Sequence, residues 1–207
     1  MTRRLSDAPT NLPTAAPFRI PAVSKVFVIT GPSGVGKGTL IARLLEAHPE
    51  LELSVSATTR EPRDGEQDGR DYHFLSPEEF DRRADAGDFL EFATYSGNRY
   101  GTLRSEIERR LEAGHSVVLE IEVQGARQVR AAMPESVQIF IAPPKPAALR
   151  DRLLDRGKDS PEAIDARLAV AAQELAAKDE FAHQVVNDEL DRASEDLRRV
   201  IEAELVH

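Results

Sequence analysis

Val26-Phe27-Val28-Ile29 runs through Thr30 into Gly31-Pro32-Ser33-Gly34-Val35-Gly36-Lys37-Gly38-Thr39, and a helical pattern follows to about Ala47. Four apolar residues in succession mark a strand buried on both faces. Gly31 to Lys37 then fits G-x-x-x-x-G-K between that strand and that helix, the spacing of a loop that holds phosphates. Glycines let the backbone curl around phosphate oxygens and present successive N–H donors at a helix N-terminus, where the helix dipole favours anions. Lys37 has the reach to meet the β- and γ-phosphates of a nucleotide as a mobile point charge. One position departs from the usual loop. Gly38 stands where Ser or Thr is common, and Thr39 follows one place later, where its hydroxyl is the candidate for a place near Mg²⁺.

Outward from this loop the chain is ordinary in bulk. Its 207 residues suit one domain with room for a small insert. With 41% hydrophobic and 30% charged residues it is not a disordered or collagenous chain. No apolar run approaches the roughly 18 residues of a membrane span. The absence of cysteine excludes disulfides, thiol catalysis and cysteine-ligated metal. Five scattered histidines show no H-E-x-x-H spacing. A net charge of −9 argues against a protein that binds nucleic acid by neutralising its phosphates. Of 27 basic residues only five are Lys, so a lysine in a demanding place carries more information. Residues 1–22 hold four of the 13 prolines and read as a flexible tail. They lack the apolar core of a secretory signal, and with no cysteine in the chain this points to the cytoplasm.

After the loop, strand and helix alternate. Val117-Val118-Leu119 with Ile121, Val137 to Ile141, and Val185-Val186 read as further central strands. Helices are expected over Gly125–Met133, Pro146–Arg156, Pro161–Phe181 and Leu190–Val206. Such alternation implies an α/β fold with a parallel sheet covered on both faces. The stretch from Ser54 to Tyr100 breaks the rhythm. Short strands (Tyr72 to Leu75 and Phe89 to Phe92) flank a helix opened by Ser76-Pro77-Glu78-Glu79, a capping-box arrangement, and closed by Gly87. The reading is an inserted α+β subdomain. Within it Arg60 and Arg63 lie three apart beside hydroxyls and are placed to converge on one anion, with Tyr72 as a further donor.

The G-K-G-T form of the loop resembles that of nucleoside monophosphate kinases. Thr58 to Leu75 is similar to the guanylate kinase signature: T-[ST]-R, a basic residue three on, an acid, a glycine, then Y-x-F. Phe89 to Phe92, Ser96 to Thr102, Glu120 to Gly125, Ile141 to Pro144 and Arg152 to Arg167 extend the likeness to the C-terminus. The resemblance implies a three-layer P-loop core with a central parallel sheet (23–53, 103–145 and 168–207), a GMP-binding subdomain (54–102) and a helical lid (about 146–167). It implies the reaction ATP + GMP ⇌ ADP + GDP with Mg²⁺, and no nucleic-acid or membrane partner.

Residue roles follow from the same likeness. Gly31, Ser33, Gly34, Val35, Gly36, Lys37, Gly38, Thr39, Arg152 and Asn187 would bind ATP. Ser56, Arg60, Arg63, Tyr72, Tyr100 and Glu122 would contact GMP, the arginines and tyrosines mainly at its phosphate. Glu91 and Thr102 would read guanine, whose N1–H and exocyclic amine lie side by side for a carboxylate; adenine offers an acceptor at N1. Lys37, Arg63, Arg156 and Arg167 would stabilise charge on the transferring phosphoryl group. Glu120 and Glu122, two apart after an apolar strand, are expected on one face, with Glu122 the better candidate for a contact near GMP or metal.

Overall fold

The computed structural model describes residues 24–95, 97–155 and 161–206. The tail 1–22 and Arg156 lie outside the described residues. In chain order the first half contains β1 (Val26–Thr30), α1 (Lys37–Ala47), β2 (Leu51–Leu53), β3 (Ala57–Thr58), β4 (His73–Phe74), α2 (Pro77–Ala86), β5 (Phe89–Tyr95) and β6 (Asn98–Leu103). The second half contains α3 (Arg104–Glu112), β7 (Ser116–Glu120), α4 (Val123–Ala132), β8 (Val137–Ala142), α5 (Ala147–Asp155) and α6 (Pro161–Ala176). A 3-10 turn (Lys178–Glu180), β9 (His183–Val186) and α7 (Leu190–Leu205) complete it.

β1 is buried along its whole length because it is the middle strand of a five-stranded parallel sheet, in the order β2-β7-β1-β8-β9. Strand side chains alternate between faces, and β1 supplies both. Phe27 and Ile29 join Leu40 and Ile41 of α1 and Leu197 and Ile201 of α7 in one core. Val26 and Val28 join Ile107 and Leu111 of α3 and Ala126 and Val129 of α4 in the other. Helices on both faces make three layers, the α/β P-loop architecture expected. Each fully buried side chain of this size contributes about 1.5–3 kcal/mol.

A second sheet, β4-β3-β6-β5, is mostly antiparallel. α2 covers it, with Phe80 stacked on Phe89 at a centroid distance of 4.3 Å. Ser76 caps α2 by accepting the Glu79 N–H at 3.1 Å, and Gly87 ends it at φ 77°. The Glu79 carboxylate turns to Arg83, at 2.7 Å, within the helix. β5 belongs to both bodies: Phe89 packs into the core beneath α2, whereas Leu90 packs into the core of the large sheet beside Val28 and Ile107.

Four elements had no counterpart in the sequence reading: β2, β3, β6 and α3. Two expected helix boundaries move by two or more residues, and two strands run longer than expected, β5 to Tyr95 and β9 from His183. The helix expected to reach Phe181 ends at Ala176, where the Ala177 N–H bonds Glu174 O only three residues back and tightens the last turn. α4 starts at Val123, two residues early, because Glu122 caps it: its carboxylate accepts from Gln124 N at 3.0 Å and Gly125 N at 2.8 Å. Glu120 is therefore the last residue of β7 and Glu122 a helix cap, not two side chains of one strand face.

Candidate active site

The G-x-x-x-x-G-K loop leaves the C-terminal end of β1, where open α/β sheets bind ligands. Its entry is fixed by Gly31 (φ 142°), at which a Cβ would fall 2.3 Å from the Ile141 carbonyl oxygen on β8. The loop is held from behind. Arg152 donates to the carbonyls of Val35 (2.9 Å) and Asn187 (2.7 Å), and buried Asn187 donates its amide to Val35 O at 2.8 Å. Lys37 Nζ bonds Gly31 O at 2.6 Å and so lies across the loop. Thr39 is exposed on the first turn of α1.

A cleft of about 540 Å³ separates the loop from the second sheet. Ser56, Tyr72, Glu91, Tyr95 and Tyr100 line it from the sheet side. Ser33, Lys37, Glu120, Glu122, Arg167 and Glu174 line it from the core side. Of the residues singled out in the sequence, nine therefore share one cavity: Ser33, Lys37, Ser56, Tyr72, Glu91, Tyr100, Glu120, Glu122 and Arg167.

Glu91 sits on β5 directly opposite Thr102 of β6 and is 4% exposed. The Thr102 hydroxyl donates to Glu91 Oε1 at 2.7 Å, so Thr102 acts on the cavity through the acid. Burial pushes the Glu91 carboxyl from 4.5 up to about 7; the Thr102 hydrogen bond opposes this and the nearby Glu122 charge adds to it. Burial likewise raises the carboxyls of Glu120, Glu122 and Glu174, with Lys37 opposing it in all three. A site that gathers one lysine, one arginine and several desolvated carboxyls is built to handle charge.

Arg60 and Arg63 are not in the cavity wall. Arg60 lies over the ring of Tyr72 at 5.2 Å and pairs with both carboxylate oxygens of Glu66 at 2.9 Å. The same carboxylate accepts the Arg63 N–H at 2.8 Å, and the Arg63 side chain is exposed. Glu66 thus joins the Arg60 guanidinium to the Arg63 backbone N–H.

The sequence reading missed Glu174, Gly125 and Gln128. Glu174 of α6 lies at the loop, where its Oε2 is 3.4 Å from Ser33 N. Gly125 lets α4 approach Glu91, because a Cβ there would fall 2.5 Å from Glu91 Oε2. No local pattern announces Glu174 or Gln128, and Gly125, though it closes the Glu120–Gly125 stretch, had no role assigned to it. The only available cue was that Gly125 and Gln128 lie three apart on the helix that Glu122 opens.

For Mg²⁺ the fit is that of a metal carried by the substrate. Among the described residues no group of three or more His, Cys, Asp or Glu converges on a metal position. Glu120, about 4 Å from where a Gly38 Cβ would lie, and the Thr39 hydroxyl are oxygen donors beside the loop. Magnesium commonly keeps several waters and takes one or two protein oxygens together with substrate phosphates. No helix among the described residues is long and apolar enough to cross a membrane.

Comparison with known proteins places the whole chain. The guanylate kinase family model matches residues 23–204. The chain is 51% identical to the guanylate kinase of Gloeobacter violaceus over 183 residues, 88% of this chain and 89% of that one. It is 52% identical to the guanylate kinase of Rubrobacter xylanophilus over 177 residues, 86% and 93% of the two chains. It superposes on the crystal structure of guanylate kinase from Anaplasma phagocytophilum with a TM-score of 0.73 at 32% identity, covering 91% of this chain and 90% of that one. With a family model spanning nearly the whole described chain and relatives at about half identity, the chain belongs to the guanylate kinase family.

Proposed function

We propose that the chain transfers the γ-phosphoryl group of ATP to the phosphate of GMP, giving ADP and GDP, across the cavity between the loop and the second sheet. The carrying observation is that buried Glu91, held by the Thr102 hydroxyl, lines the same cavity as Lys37. With Thr102 holding Oε1, the Glu91 carboxylate accepts the N1–H and the exocyclic amine of guanine together. Adenine presents an acceptor at N1 and would leave that carboxylate facing a lone pair, at a cost of about 1–3 kcal/mol for the unpaired group. Ser56, Tyr72 and Tyr100 line the path from the base toward the loop. Arg60 and Arg63 bind the GMP phosphate, for which Glu66 yields its place; Glu122 borders the acceptor end.

On the donor side the loop N–H groups of residues 31–39 cradle the ATP phosphates, and Lys37 exchanges its carbonyl partners for phosphate oxygens. Arg152 and Asn187 complete the ATP side by fixing the Val35 carbonyl. Glu120 and Thr39 are the oxygen donors that would stand beside Mg²⁺ brought in with ATP, whose charge would offset that of the phosphates. A GMP phosphate oxygen attacks the γ-phosphorus in line, and the bond to the β–γ bridging oxygen breaks. Lys37, Arg63, Arg156 and Arg167 stabilise the spreading charge, so the chain needs no covalent intermediate and no general base.

The test is a coupled ATP-plus-GMP assay on the purified chain, followed by the GMP-to-AMP ratio of kcat/KM in Glu91→Gln and Arg60→Ala. Glu91→Gln should lower kcat/KM for GMP by about 5- to 150-fold and shrink the ratio. Arg60→Ala should weaken both monophosphates together, since phosphate carries no base identity. A ratio that moves with Arg60 and stays fixed with Glu91 would refute the assignment.

A further inference from the structure

Glu91 lies in the small sheet, whereas the loop that would hold the donor nucleotide lies in the core. How well the acid reads a base depends on how firmly the two bodies are referenced to each other, and one helix face supplies that reference. Glu122, Gly125 and Gln128 recur every three residues on α4 and so share a face, which abuts β5. Glu122 caps the helix there. At Gly125 the helix backbone comes so close to Glu91 that a Cβ would strike its carboxylate.

At Gln128 the contact becomes directional. β5 is the outer strand of its sheet, and among the described residues no strand pairs with its open side. The Gln128 side chain fills that gap at Phe92, the residue after Glu91. Its Oε1 accepts the Phe92 N–H at 3.1 Å, and its Nε2 donates to the Phe92 carbonyl at 2.9 Å. A carboxamide is chemically a peptide group, so Gln128 pairs with β5 as one residue of a missing neighbouring strand would. Two bonds to one residue fix both the position and the tilt of the strand at the point where Glu91 departs. The third restraint is the Thr102 bond from β6.

We propose that Gln128 is a positioning residue for base selection: it sets the depth of Glu91 in the cavity relative to the core, and with it the preference for a purine bearing adjacent N1–H and 2-amino donors. The proposal rests on Glu91 as the base reader. Gln128 is only half-buried, so water can take over the Phe92 N–H and carbonyl when the amide is removed. The fold then survives, and what is lost is placement.

The experiment compares GMP with inosine monophosphate, which keeps N1–H but lacks the 2-amino group. It uses Gln128→Met, which keeps the side-chain length without either bond, and Gln128→Ala as a second variant. Misplacing an acid that must accept two donors at once should raise KM for GMP and lower the GMP-to-inosine-monophosphate ratio of kcat/KM by about tenfold. KM for ATP and kcat at saturating GMP should stay close to those of the unsubstituted chain. A merely structural role would instead lower the melting temperature and reduce all activities in parallel, leaving the ratio and the KM for GMP unchanged; that result overturns the proposal. Glu91→Gln is measured alongside. If it collapses the ratio while both Gln128 variants preserve it, Glu91 reads the base and Gln128 does not position it. If Glu91→Gln leaves the ratio intact, the base-reading assignment falls, and the proposal for Gln128 falls with it.

Discussion

Glu91 concentrates the conflict between folding and chemistry in one side chain. To accept two donors it must be ionised, yet burial favours its protonated form and moves its titration to about 7. The native state therefore holds a proton that the unfolded chain has released between pH 4.5 and 7. The associated stability is fully present below 4.5 and is lost as pH rises through 7. At pH 8 the cost is on the order of 3 kcal/mol. Glu91→Gln keeps the acceptor for the Thr102 hydroxyl and carries no charge to desolvate. It should melt several degrees above the unsubstituted chain at pH 8 and at nearly the same temperature at pH 4.5, by calorimetry at both values. Equal melting temperatures at pH 8 would mean that Glu91 is not strained by burial. Loss of GMP discrimination together with gain of stability is the behaviour of a functional residue held against its own solvation preference.

At the scale of elements, the turn from β1 into α1, which brings Ser33 and Lys37 to the cavity, was the most legible part of the sequence. Its spacing is local, and Gly36 shows why it is constrained. This residue starts α1 at φ 101°, and a Cβ would fall 2.5 Å from Asn187 Nδ2. Gly36→Ala should cost about 1–3 kcal/mol in backbone strain. It should also displace Asn187 from the Val35 carbonyl and raise KM for ATP while leaving KM for GMP unchanged; an unchanged KM for ATP would detach Asn187 from the nucleotide loop. The parallel strands were legible as well, because strands buried on both faces read as apolar runs. β6 was not, since Asn98-Arg99-Tyr100-Gly101-Thr102-Leu103 has no alternation of apolar and polar residues. α3 is mostly charged, and its core contacts reduce to Ile107 and Leu111, four apart. Gln128 and Phe92, 36 residues apart, meet only once both sheets are built, so no reading by period could pair them.

Across the whole molecule, the sheet order places the loop at the centre of the large sheet and Glu91 on the outer strand of the small one, with the cavity between them. A ligand that spans this gap binds the native state only, and so stabilises it by mass action. GMP at about 100 times its dissociation constant should add about 2.7 kcal/mol. For a chain of this length that is a rise in melting temperature of roughly 5–10 °C, measurable by calorimetry without any turnover. No rise at saturating GMP would show that the cavity does not take the nucleotide. The composition adds something the fold alone would not suggest. The chain has no tryptophan and three tyrosines, and those three, Tyr72, Tyr95 and Tyr100, all line the cavity. Its tyrosine emission therefore originates wholly beside the candidate nucleotide site, and the unlabelled protein carries its own fluorescent reporter of cavity occupancy.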